Sequence, residues 1–171
     1  MLLLPLLTHC TGIPDGMQAV RNFSLDGYLG TWYEIARLDH RFERGLSNVS
    51  ATYSLRDDGG IKVVNRGFNA TDGEWNEAVG KAYPVDEPSV GRLKVSFFGP
   101  FYGGYNIIAL EQTPSECAMV AGPNRSYLWI LCRTTNPDGA QIDALVGTAR
   151  SLEFAVDELI FVEHDSPPAG G

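Results

Sequence analysis

Histidine and cysteine are both scarce in this chain of 171 residues, with three of each. His9, His40 and His164 stand too far apart to make a metal-ligand pair by spacing. Cys10, Cys117 and Cys132 form no Cys-x-x-Cys, which excludes a zinc ribbon and a thioredoxin-type site. Basic runs are missing too. Thirteen basic residues against 21 acidic ones leave a formal charge of −8. A nucleic-acid surface would need a basic face to neutralise phosphates, so that class of partner is set aside. No apolar stretch reaches the ~18 residues that a membrane-spanning helix requires. Gly-x-Ser-x-Gly, His-Glu-x-x-His, the Walker A loop and Gly-x-Gly-x-x-Gly are all absent, and with them the common signatures of hydrolysis and nucleotide binding. The 19 glycines keep no three-residue period, which excludes a collagen-type helix.

What the chain has is apolar material. Hydrophobic residues make up 44% of it, enough for one core and too much for a disordered chain. Its length suits a single domain.

Residues 1–10 read Met-Leu-Leu-Leu-Pro-Leu-Leu-Thr-His-Cys. An apolar block that ends at a cysteine, followed by Thr11-Gly12, resembles a bacterial lipoprotein signal, in which the cysteine is lipidated and becomes the mature N-terminus. Leu7 fits the apolar position three before Cys10, while His9 departs from the small residue usual before that cysteine. The expectation is a signal segment over 1–10, a lipid anchor on Cys10, and a protein held at the outer membrane facing the periplasm. Export places Cys117 and Cys132 in an oxidising compartment. If Val120 lies opposite Trp129, then Cys117 lies opposite Cys132 and a disulfide can form. A one-residue slip would leave two free thiols on different faces.

Residues 11–30 read as an extended lead-in. From Thr31 the pattern turns to strands. Val49, Ala51, Tyr53 and Leu55 alternate with Ser50, Thr52 and Ser54, the period of a half-buried strand. Asp57-Asp58-Gly59-Gly60 and Thr71-Asp72-Gly73 are tight turns. Strands are expected at Thr31–Leu38, 49–55, Ile61–Asn69, Glu74–Val85, Gly91–Phe98, Tyr105–Glu111, Cys117–Ala121 and Ser126–Arg133, with Gly99–Gly104 as a break. Starts spaced this closely leave no room for crossover helices, so consecutive antiparallel hairpins are the simplest topology. Ile142, Leu145, Val146, Ala149 and Leu152 carry the only helical period, near 138–152. A short strand at Glu158–Glu163 and a disordered tail at 165–171 complete the chain. The fold class is all-β: an eight-stranded antiparallel up-and-down barrel over 31–164, with one C-terminal helix and a short final strand. Such a barrel is wide enough for side chains and one small ligand.

Gly30-Thr31-Trp32-Tyr33 resembles the lipocalin signature. The run Tyr28–Asp39 is similar to the bacterial outer-membrane lipocalins, themselves similar to apolipoprotein D and plant temperature-induced lipocalins. Tyr53–Gly60, Val64–Gly67, Val95–Tyr105 and Tyr127–Arg133 fit the same branch in order, so the resemblance covers about residues 12–163. Cys132 stands where a Ser is usual before Arg133. The resemblance implies that Trp32 plugs the closed base and that Arg133 stacks across it, with Gly30 and Tyr33 completing the signature.

Inward alternation lines the lumen with Val49, Ala51, Tyr53, Val63, Leu93, Val95, Phe97, Tyr105, Ile107 and Trp129. On 74–85 the face stays open: either Ala78, Gly80 and Ala82 or Trp75, Val79 and Tyr83 point inward. Glu34 shares Trp32's face, with Arg66 or Arg133 as its partner in a buried ion pair near the base; the alternative is a contact with a ligand headgroup. The expected function is a non-enzymatic carrier of fatty acids or lysophospholipids, with no metal or other cofactor and a membrane surface as partner through the anchor. Pairing of two barrels through their mouths stays open. The alternatives are an enzyme acting on a lipid or isoprenoid through Cys132, Glu34 or His40, a tetrapyrrole or pigment carrier, and a packed, ligand-free structural lipoprotein.

Overall fold

The structure, a computed structural model, describes residues 10–165. Most of the expected signal segment, residues 1–9, and of the expected tail, residues 166–171, lies outside the described residues. Eight strands follow one another: β1 (Gly30–Arg37), β2 (Leu46–Leu55), β3 (Ile61–Asn69), β4 (Glu74–Pro84), β5 (Arg92–Phe98), β6 (Phe101–Glu111), β7 (Cys117–Ala121) and β8 (Leu128–Cys132). Each pairs antiparallel with the next, and β1 pairs with both β8 and β2, so the barrel closes and no long edge is left open.

Four details differ from the alternation pattern. β6 begins at Phe101, so the break shrinks to the Gly99-Pro100 turn, where Gly99 takes φ +47°. The lead-in holds a short helix, α1 (Leu25–Tyr28), capped by Ser24, whose hydroxyl accepts from the Gly27 N–H. The last strand is only β9 (Ile160–Phe161), pairing with the upper half of β1 beyond the point where β2 leaves it. Asp165, expected in the tail, is ordered: its N–H donates to the Asn48 side chain.

The base is closed by the signature residues. Trp32 is fully buried, and its indole N–H donates to the Tyr28 carbonyl at 2.8 Å. The Arg133 guanidinium lies 3.9 Å over the Trp32 ring and donates to the carbonyls of Gly27 and Thr31. Gly30 makes this possible: it takes φ +98°, and a Cβ there would sit 3.3 Å from the Arg133 guanidinium. Gly91, Val20 and Ile107 close the same end through backbone hydrogen bonds.

Outside the barrel, α2 (Gly139–Ser151) starts at Asp138, whose carboxylate accepts from the Gln141 N–H. It buries Ile142, Leu145 and Ala149 in an apolar layer that includes Met119, Ile130, Ala36 and Leu38. In that layer Cys117 faces Cys132 and the two form a disulfide, with Val120 opposite Trp129.

Candidate functional site

Odd-numbered residues of β2, β3 and β5 point inward because each strand has period two. They bound a cavity of about 640 Å³ of atom-free space, its mouth included, of which about 100 Å³ admits the centre of a water molecule. Nine of the ten expected lining residues border it: Val49, Ala51, Tyr53, Val63, Leu93, Val95, Phe97, Tyr105 and Trp129. Ile107 does not. It points inward but lies one inward position nearer the base than Tyr105, in the packed floor, where its backbone is held by Val20 and Gly91.

The ambiguous strand β4 turns Gly80 and Ala82 inward, while Ala78 is exposed. Ala82 lines the cavity and Gly80 is buried, while Val79 is exposed on the outer wall. A Cβ on Gly80 would fall 2.8 Å from the Phe97 ring, so Gly80 is what lets that ring lie against the wall. The lumen therefore keeps room that large side chains would have filled.

Its floor is a chain of phenols. Tyr105 Oη lies 2.6 Å from Tyr28 Oη and 2.8 Å from Tyr53 Oη. Burial pushes all three hydroxyls well above their ordinary ionisation range, so they stay neutral donors and acceptors.

The mouth side carries charge. Glu34 pairs with Arg37 at 2.8 Å, not with Arg66 or Arg133. Arg133 is engaged at the base, and Arg66 lies on the outer wall over the Trp75 ring at 4.0 Å. A bulge at Ile35 is the reason Arg37 can reach: Glu34 faces Leu131 and Ala36 faces Ile130, so β1 advances two residues against one on β8. Ala36 and Leu38 are thereby turned out under the helix, and Arg37 is turned in opposite Trp129. Arg37 also donates to the Glu43 and Leu46 carbonyls, which holds the 38–45 loop over the mouth.

That loop brings Glu43 to the lumen. Its carboxylate accepts from the Trp129 indole N–H at 3.1 Å and lies 3.0 Å from His40 Nε2. Burial first, and then Glu43's charge, pushes the Glu34 carboxyl well up. Burial also pushes Glu43 up, but His40, Trp129 and the Glu34 proton outweigh it and hold Glu43 below the ordinary carboxylate range. Burial and the neighbouring groups thus favour the proton on Glu34 and the charge on Glu43.

Sequence reasoning missed Glu43, Arg37, Ser50, Asn65 and Leu131 as parts of this site. Leu131 was legible from its spacing to Trp129. Glu43 and Arg37 were not, because a loop return and a bulge place them. Of the other reactive candidates, Cys132 is tied to Cys117 outside the lumen. Cys10 is free and exposed, with its carbonyl on the Gly104 N–H. Tyr33, in the signature, stacks edge-on to His164.

Residues 23–164 match the family model for a lipocalin-like domain. The chain is a lipocalin. It is similar to the outer membrane lipoprotein Blc of Vibrio cholerae, at 49% identity over 158 residues and 92% of each chain. The protein of the same name from Citrobacter freundii is 54% identical over 150 residues, covering 88% of this chain and 84% of that one. Among solved structures it is similar to insecticyanin of the tobacco hornworm Manduca sexta, with a TM-score of 0.70 at 16% identity, covering 91% and 88% of the two chains. That likeness speaks to the fold alone. The relatives near half identity place this lipocalin at the outer membrane as a lipid-anchored protein.

Proposed function

We propose that this lipocalin carries a fatty acid or a lysophospholipid in its lumen, facing the periplasm from a lipid anchor on Cys10, and performs no reaction. The observation that carries the reading is the cavity: apolar walls from Val49 to Phe97, a phenol floor, and a single charged cluster at the mouth side. That layout suits an acyl chain inserted tail first with its polar head near Glu43 and Trp129. Each buried CH₂ is worth about 0.8 kcal/mol, so ten methylenes give roughly 8 kcal/mol before ordering costs, enough for micromolar binding. Glu34 and Glu43 already satisfy one another with Arg37, which favours a structural role for them over acid–base catalysis.

The test is a fluorescence titration with acyl chains that carry a nitroxide quencher. Trp129 lines the lumen, Trp32 sits under the floor and Trp75 lies on the outer wall. Saturable quenching that is lost in Trp129→Phe and kept in Trp75→Phe supports the carrier. Quenching that never saturates, or that follows Trp75, contradicts it.

A further inference from the structure

The outer wall of β3 to β6 carries a band that the lumen does not use. Val64 pairs with Val79 across β3 and β4. Beyond the last β4–β5 pair, Lys81 with Ser96, and past a bulge on β5, Phe98 pairs with Phe101 at the hairpin tip. Val79, Phe98 and Phe101 are 52%, 69% and 77% exposed. Apolar side chains this open, on the neighbouring strands β4, β5 and β6, mark a contact surface. One step toward the base lies a second group. Lys62 pairs with Lys81, and Lys94 sits on the adjoining strand against the Tyr102 ring. These are all the lysines of a chain whose net charge is −8. Toward the rim, Glu77 lies opposite Arg66, an acid matched by a base.

Cys10 lies at the edge of the same face. Its exposed side chain leaves from a backbone bonded to Gly104, three residues along β6 from Phe101, or about 10 Å. An anchor there forces the bilayer surface to pass close to the hairpin tip.

We propose that this wall is the membrane-docking face: Val79, Phe98 and Phe101 enter the interface, and the three lysines meet anionic headgroups. The mouth, at the same end of the barrel as the β5–β6 hairpin, is then held at the bilayer edge, where a lipid can pass between membrane and lumen without crossing water. The proposal rests on the anchored state and on Cys10 as its attachment, and does not depend on which lipid is carried.

The test uses the mature, anchored protein reconstituted in phosphatidylethanolamine vesicles containing phosphatidylglycerol. A single environment-sensitive label is placed at Phe101→Cys or, on the far side, at Phe161→Cys, 57% exposed on β9. A bilayer-resident quencher reads the depth of each. The expected result is quenching several-fold greater at 101 than at 161, reduced in Lys62→Glu/Lys81→Glu/Lys94→Glu. Without the anchor, that triple change should weaken vesicle partitioning by at least about 100-fold, at roughly a factor of 5 per lysine. Equal quenching at the two positions overturns the proposal. So does a 101 label that crosslinks to a second copy and ignores lipid, which would make the band an interface between barrels.

Discussion

Tyr105→Phe removes one oxygen and strands two. Its hydroxyl is the middle of the phenol chain, 2.6 Å from Tyr28 and 2.8 Å from Tyr53, and those two rings are only 2% and 4% exposed. A buried hydroxyl left without a partner costs about 1–3 kcal/mol. Tyr53 borders the cavity, so water recovers part of its loss, whereas Tyr28 lies under the floor. The sum is about 2–4 kcal/mol for Tyr105→Phe. Tyr53→Phe removes an end of the chain and leaves the Tyr28–Tyr105 bond intact, at about 1 kcal/mol. Changing all three to Phe strands nothing, so the triple variant should be more stable than Tyr105→Phe alone. Urea unfolding at constant m-value reads these differences from the midpoints. Tyr53→Phe costing as much as Tyr105→Phe, or a triple variant equal to the sum of the singles, would refute the reasoning.

Three further outcomes follow from other contacts. Glu34, raised by burial and by Glu43, keeps its proton when folded at pH values where the unfolded chain has lost it; stability should therefore fall as pH rises past about 4.5, and Glu34→Gln should flatten that decline in urea midpoints above about pH 5. Opening the Cys117–Cys132 link, which spans 15 residues, should cost about 3 kcal/mol by loop entropy; the β7–β8 register should persist, so acyl quenching of Trp129 should be unchanged. Arg133→Lys keeps a charge over Trp32 but loses the fork onto Gly27 and Thr31, and calorimetry should show about 2 kcal/mol of lost stability.

The barrel was legible because period-two runs and glycine turns are local. The facing of Cys117 and Cys132 was legible for the same reason, since one register assumption about Val120 and Trp129 decides it. Alternation failed where the ladder itself is irregular. The Ile35 bulge moved Arg37 to the lumen and Ala36 out of it, and no property of those residues announces a bulge. Glu43 reaches the site on a loop held by Arg37, a contact set by tertiary closure. Ile107 has the right face and the wrong height, which depends on how far the N-terminal segment rises into the base. On β4, small residues occupy one phase and large ones the other, and only pairing with β3 and β5 chooses Gly80 and Ala82 for the inside.

Native mass spectrometry of the purified, processed protein decides whether the lumen holds an acyl lipid. Ala82 lines the cavity and is 2% exposed, so Ala82→Trp should fill the space. One fatty acid or lysophospholipid per barrel is expected in the wild-type protein and none in Ala82→Trp. A barrel that is empty and refuses both lipids when they are added would contradict lipid carriage.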